Sequence, residues 1–194
     1  MDNFATIIAC GGDGTRFGGD KARQILGGMT LIDHAVRIAL KWGGPVALAI
    51  REGGAGPDTG LPVLADRAAG MGPIGALASG FGFAQEHDCS HVLLIACDQP
   101  FLPDDLPQRL AAAIGDAGVA LPVSAGHDQN MAALWKRDTQ ALTSYLADRN
   151  RSLWGFAEKV GITRIFWDEG GDDPFADIDT RADLAAAEDR LKAS

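Results

Sequence analysis

The chain has 194 residues, 46% of them hydrophobic and 22% charged, which is enough for one domain with a full core and unlike a disordered protein. A formal net charge of −9 excludes the basic field that a nucleic-acid surface requires, though not a small anion held by a few local cations. No apolar stretch reaches membrane-spanning length and no basic-then-apolar leader opens the sequence, so a soluble, cytoplasmic protein without membrane or nucleic-acid partners is expected. The cysteines, Cys10, Cys89 and Cys97, are odd in number and lack a CxxC spacing. Disulfide scaffolding and a structural zinc site are therefore not expected, and Cys10 and Cys97 read as small apolar residues at strand ends.

Phe4 to Cys10 reads as a first, buried strand. It ends in a loop carrying Gly11, Gly12, Gly14, Gly18 and Gly19, with Arg16 and Lys21 among them. Leu31, Ala35, Ile38 and Ala39 recur at helical spacing, which predicts a helix over 30–42, stopped by Gly43, Gly44 and Pro45. Short apolar strands follow at 46–50 and 61–64, separated by a glycine-rich loop at 52–60. The second glycine-rich turn, Ala69 to Gly75, leads into a helix with Pro73 in its first turn and Ile74, Leu77, Ala78 and Phe81 on one face. His91 to Cys97 is almost wholly apolar, as for a strand covered on both sides, and it ends at Asp98. A helix with Leu106, Leu110 and Ile114 inward comes next, then strands at 119–123 and 131–135. Helices at 139–147 and 152–160, a late strand at 162–167 and a final helix over 180–192 complete the series. Strand and helix alternate through the first two thirds without a long linker or a repeat. The expectation is a single domain spanning 1–194, a three-layer α/β/α fold with a mostly parallel sheet.

The glycine loop is where chemistry concentrates. Glycines let backbone N–H groups approach an anion, and nearby cations supply charge, so a strand feeding this loop reads as a phosphate cradle. It fails the P-loop pattern, because Lys21 is followed by Ala22 rather than Ser or Thr. It also fails the dinucleotide fingerprint, because Phe17 stands where the third glycine belongs. Asp98, directly after a buried strand, places a carboxylate in the crevice where α/β proteins bind ligands; the alternative is a turn cap before Pro100. One such carboxylate with phosphate oxygens suffices for Mg²⁺. Asp66 follows the strand at 61–64, with either a nucleotide contact or a salt bridge to Arg67 open to it. Asp179 fits the N-cap of the last helix, which also carries a Thr180…Asp183 capping pattern. Gly72 is either a turn residue or a point of close ligand approach. The four histidines show no ligand spacing.

The loop spacing does match G-G-x(3)-R-[MF]-G-x(2)-K, here Gly11 to Lys21, and so resembles the signature loop of nucleotidyltransferases that activate small molecules as nucleotide conjugates. Further stretches resemble the molybdenum cofactor guanylyltransferases of the MobA-like nucleotidyltransferase family. These are GGDK (Gly18 to Lys21), GGMTLIDHAV (Gly27 to Val36), AGMGPIGALASG (Ala69 to Gly80), ACDQPFLPDDL (Ala96 to Leu106) and FADIDTRADL (Phe175 to Leu184). The resemblance implies a Rossmann-like nucleotidyltransferase domain that uses Mg²⁺ and transfers GMP from GTP to the phosphate of molybdopterin, with or without molybdenum, releasing pyrophosphate. It implies that Ala9, Cys10, Gly11, Gly12, Asp66 and Gly72 lie around the nucleotide. Arg16 and Lys21 would stabilise phosphate charge and Asp98 would hold the metal; Asp177, which has no capping role, reads separately as a second carboxylate for it. Asp177 and Asp179 would face the acceptor. The resemblance also implies transient contact with molybdoenzymes or cofactor-handling proteins.

Some positions depart from the guanylyltransferase pattern. Asp177 and Asp179 stand where two asparagines are usual, Ala9 stands for a leucine and Arg181 for a proline. The D-I-D-T stretch and Gln99 are more like the related molybdopterin cytidylyltransferases. Transfer from CTP, or to a sugar phosphate, is therefore the alternative reaction, and a non-catalytic nucleotide- or cofactor-binding protein is the rival from another class.

Overall fold

In the computed structural model, which describes residues 3–10, 21–50, 58–65, 71–167 and 171–193, the run after Asn3 becomes the central strand β1 (Phe4–Cys10). It pairs in parallel with β4 (Val46–Ile50) on one side and β6 (His91–Ala96) on the other. Beyond β4 lies β5 (Val63–Ala65), also parallel. Beyond β6 comes β9 (Ala132–Lys136), which is antiparallel, then β7 (Val119–Ser124) and the edge strand β10 (Ile162–Phe166), parallel to β7. The sheet order is β10-β7-β9-β6-β1-β4-β5, with the short β8 (His127–Asp128) appended to β7. The mostly parallel sheet expected from the sequence is thus present, with β9 and β8 reversed. Reversal is invisible in an apolar run, because Ala132 to Trp135 buries equally well in either direction.

Alternate residues of the inner strands feed two separate cores, as the two-residue period of a strand requires. Ile7, Ala47, Val92, Leu94 and Trp135 face one way. They meet α2 (Pro73–Glu86), α4 (Thr139–Ala147) and α5 (Leu153–Val160), with Phe156 stacked on Trp135 at 5.9 Å. Ile8, Leu48, Leu93, Ile95 and Leu134 face the other way. They meet α1 (Leu31–Trp42) and α3 (Leu106–Ala113). Covered on both faces, these strands can be apolar throughout, which is why they read so clearly.

Helix α1 starts at a capping box: Asp33 N donates to Thr30 Oγ1, and Thr30 N donates back to Asp33 Oδ2. It ends at Gly43 and Gly44, both at positive φ, and a Cβ on Gly44 would lie 2.7 Å from the carbonyl oxygen of Phe4. Only glycine fits that turn into β4. A two-residue hairpin, β2 (Ile25–Leu26) with β3 (Met29–Thr30), precedes α1. His34 Nε2 lies 2.8 Å from Leu26 O and ties α1 to this hairpin. The last helix, α6 (Arg181–Ala193), covers the hairpin through a small third core of Leu26, Leu31, Ile178 and Ala187. Its first turn is capped by Thr180, whose Oγ1 accepts from Asp183 N while Asp183 Oδ2 accepts from Thr180 N. Asp179 is therefore not the cap, and its side chain is available elsewhere. Among the described residues, no helix is long and apolar enough to cross a membrane.

Candidate active site

From β1 the chain moves to β4 and β5 on one side, and returns to β6 on the other. The gap between the carboxyl ends of β1 and β6 is the switch point at which open α/β sheets bind ligands. A cavity of about 690 Å³ opens there. Ala9, Cys10 and Ala49 line it from β1 and β4, Gly72 from the head of α2, and Lys21 and Asp98 line it as well. Gly72 caps α2 at a φ of 62° with no side-chain cap, and Pro73 follows at the first helical position. A side chain at Gly72 would be strained by this positive φ, and the helix N-terminus that follows it is an anion-favouring end.

Lys21 heads a single 3₁₀ turn over Lys21–Arg23. Its Nζ donates to Asp98 Oδ2 at 2.5 Å and also to Asp179 Oδ1. Burial by itself would push the lysine down, but the hydrogen bonds and charges of Asp179 and Asp98 outweigh this and hold its pKa above the ordinary lysine value. Asp177 stands beside them. Loss of water around its carboxyl, then the like charges of Asp98 and Asp179, push it up to about 6, against the opposing pull of Lys21 and Gln99. The residue keeps an exposed surface at the cavity rim.

Asp177 and Asp179 come from the segment 173–179 before α6, which is fastened across the sheet ends. Ile178 N donates to Asp98 O at 3.0 Å, and Gln99 Nε2 donates to Phe175 O at 3.0 Å. Ser124 Oγ, at the end of β7, donates to Asp173 Oδ1 at 2.5 Å, and Phe175 N donates to the same oxygen. From α6, Arg190 Nη1 donates to Asp173 O at 2.8 Å while its guanidinium lies 4.0 Å over the Phe101 ring.

Asp98 Oδ1 is buried and accepts no hydrogen bond among the described residues. An orphaned carboxylate oxygen beside a second, reluctant carboxylate suits a hard cation. No group of three or more His, Cys, Asp or Glu able to hold a metal occurs among the described residues. A cation here would take Asp98, with Asp177, and draw its other ligands from phosphates and water, the way Mg²⁺ is commonly bound.

The structure thus brings together Ala9, Cys10, Lys21, Gly72, Asp98 and Asp177 around one cavity, with Asp179 on Lys21. Gly11, Gly12, Arg16 and Asp66 lie outside the described residues. The sequence does not point to His127, Asp128, Gln129 and Asn130, which line the far side of the cavity between β7 and β9. Nor does it point to Asp173. His127 and Asp128 form the two-residue β8 and the others lie in loops, so these polar residues carry no periodicity by which a sequence could mark them.

Residues 6–160 match the model of the MobA-like NTP transferase domain. The chain belongs to this family. Two MobA-like relatives named molybdenum cofactor guanylyltransferase, from Acidiphilium cryptum and Rhodobacter capsulatus, are each 38% identical to it. The first alignment covers 96% of this chain and 94% of the relative, the second 97% of each. A solved structure of molybdopterin-guanine dinucleotide biosynthesis protein A from Archaeoglobus fulgidus superposes with a TM-score of 0.77 at 16% identity, over 98% of this chain and 100% of that one. The 2-C-methyl-D-erythritol 4-phosphate cytidylyltransferase of Thermus thermophilus superposes with a TM-score of 0.68 at 17% identity, over 96% and 98%. The MobA-like fold is therefore shared with enzymes that carry a different base to a different acceptor. Identity of base and acceptor must come from side chains rather than topology.

Proposed function

We propose that this protein is a magnesium-dependent guanylyltransferase that moves GMP from GTP to the terminal phosphate of molybdopterin. Pyrophosphate leaves, and the guanine dinucleotide form of the cofactor is produced. The observation that carries the reading is Lys21, an ammonium set beside Asp98 at the mouth of β1 and β6. The near full-length similarity to proteins named molybdenum cofactor guanylyltransferase supports the choice of base and acceptor.

An acceptor phosphate oxygen attacks the α-phosphorus of GTP, and the bond to the bridging oxygen of the pyrophosphate breaks. The acceptor is already anionic, so no side-chain base is required. Catalysis then consists of positioning and of charge stabilisation at the α-phosphate. Lys21 supplies a positive charge that the triphosphate would draw away from Asp179. Gly11, Gly12 and Arg16 would add backbone donors and a second cation, and Asp66 a contact to the nucleotide. Asp98 and Asp177 would hold Mg²⁺, whose charge offsets that of the phosphates. The segment carrying Asp177 and Asp179 lies on the acceptor side.

The test is pyrophosphate release by purified protein with Mg²⁺, molybdopterin and each nucleoside triphosphate in turn. GTP should be the preferred donor. A clear preference for CTP would support the cytidylyltransferase reading that Gln99 and the D-I-D-T stretch favour. Nucleotide binding with no release from any donor would leave a binding protein.

A further inference from the structure

Cys10 and Cys97 are neighbours across the gap at which the cavity opens. Strands β1 and β6 run parallel with Ala9 opposite Ala96, so the next residue on each strand faces its counterpart. The ladder continues there, since Cys97 N donates to Ala9 O at 3.2 Å. Both side chains share a face, because Ile8 and Ile95, two residues earlier, belong to the same core as Cys10 and Cys97. Cys10 Sγ donates to Ile8 O at 3.6 Å, and the Cys97 side chain lies beside it in the same core. Both line the cavity, Cys10 half-buried and Cys97 buried, and both are reduced. Adjacent strands lie about 4.8 Å apart, inside the Cα spacing a disulfide accepts, about 4.4 to 6.8 Å.

We infer that Cys10 and Cys97 form an oxidisable thiol pair, a modification site at the nucleotide pocket that a peroxide converts to a disulfide. The more exposed Cys10 sulfur attacks the peroxide: an S–O bond forms, the O–O bond breaks, and one water leaves. The Cys97 sulfur then attacks the resulting sulfenic acid. An S–S bond forms, the S–O bond breaks, and a second water carries away the oxygen and the remaining protons. Two thiols are oxidised and one peroxide is reduced, and a small-molecule thiol reverses the change.

The link matters because each cysteine adjoins a residue of the site. Cys10 is the last residue before Gly11 and Gly12, and Cys97 is the last before Asp98. Drawing the two free sulfurs to a covalent separation of about 2.0 Å shifts both strand ends. Asp98 and its partner Lys21 move with them. A displacement of about 1 Å at such a site can cost about a hundredfold in rate. That the link suppresses turnover rests on the transferase reading above; the link itself does not. Cys89 is an internal control, being buried near the opposite end of β6 with its thiol on Asn3 Oδ1.

The test exposes the full-length protein to hydrogen peroxide, alone or with GTP and Mg²⁺, and maps cysteines without reduction. The expected result is a Cys10–Cys97 peptide lighter by two hydrogens, Cys89 unchanged, slower linkage with GTP present, and turnover reduced about tenfold or more. Dithiothreitol should restore it. Cys10→Ser should neither form the link nor lose its own starting activity under peroxide, and Cys97→Ser serves if the first variant fails to fold. A pair that stays reduced, sulfinic acid on Cys10 without a link, or a link that leaves turnover intact would each overturn the inference. If no donor supports turnover, the map still decides the linkage, and loss of GTP binding replaces loss of rate.

Discussion

Lys21 meets three carboxylates at the cavity mouth, hydrogen-bonded to Asp98 and Asp179 and within the field of Asp177. Removing it takes away the charge that the proposed reaction sets at the α-phosphate, and leaves the acids to repel one another. Lys21→Ala should lower kcat/KM by about a hundredfold to a thousandfold, the usual effect of losing one preorganised donor. Steady-state pyrophosphate release measures it, and an unchanged rate would take Lys21 out of the chemistry. Asp177 gives a pH prediction. Its carboxyl is raised from 3.8 to about 6 in the fold, so the folded state holds the proton more tightly than the unfolded chain does. Its favourable contribution to stability is therefore complete below about pH 4, and is lost as pH rises through about 6. Asp177→Asn mimics the protonated form. In metal-free buffer its melting temperature relative to wild type should climb between pH 4 and pH 7 and then level off. A pH-independent difference would mean that Asp177 titrates normally.

At the scale of elements, the segment from Asp173 to Asp179 is held by partners from three places: Ser124 on β7, the post-β6 turn, and Arg190 on α6. Arg190→Ala removes a charged hydrogen bond and a ring contact, and should cost about 2 kcal/mol in urea unfolding. It should also raise the KM for molybdopterin more than that for GTP, because it loosens only the acceptor side. Equal changes in both KM values would make Arg190 a general stabiliser. Much of the element pattern is legible beforehand. Strands 4–10 and 46–50 and helix 139–147 have the bounds that their apolar runs indicate. The β2–β3 hairpin and β8 are not legible, since two-residue strands carry no period. Lys21 and Asp98 are legible because each follows a buried strand, β1 at a distance and β6 directly. Their pairing with Asp179 is not, because Asp179 reads in sequence only as an alternative cap of α6, beside the Thr180…Asp183 pattern that performs the role.

At the scale of the molecule, one continuous sheet separates two cores, and Trp135 reaches full burial in the middle of the first. A single cooperative unit should give coincident denaturation curves by far-UV circular dichroism and tryptophan fluorescence. Gly118→Ala should shift both together. A Cβ there would lie 2.7 Å from the Val160 carbonyl oxygen, and the forced backbone movement should cost about 1 to 3 kcal/mol. Separate shifts would indicate two independently folding parts. The Lys21–Asp179 contact spans 158 positions of sequence. Contacts of such separation carry the greatest loop-closure cost. A nascent chain that has emerged only as far as β10 can already bury both faces of its sheet, yet its lysine lacks one of its two acids. In the proposed reaction the acceptor side is then still unbuilt, so competence for transfer would arrive as a late step of synthesis.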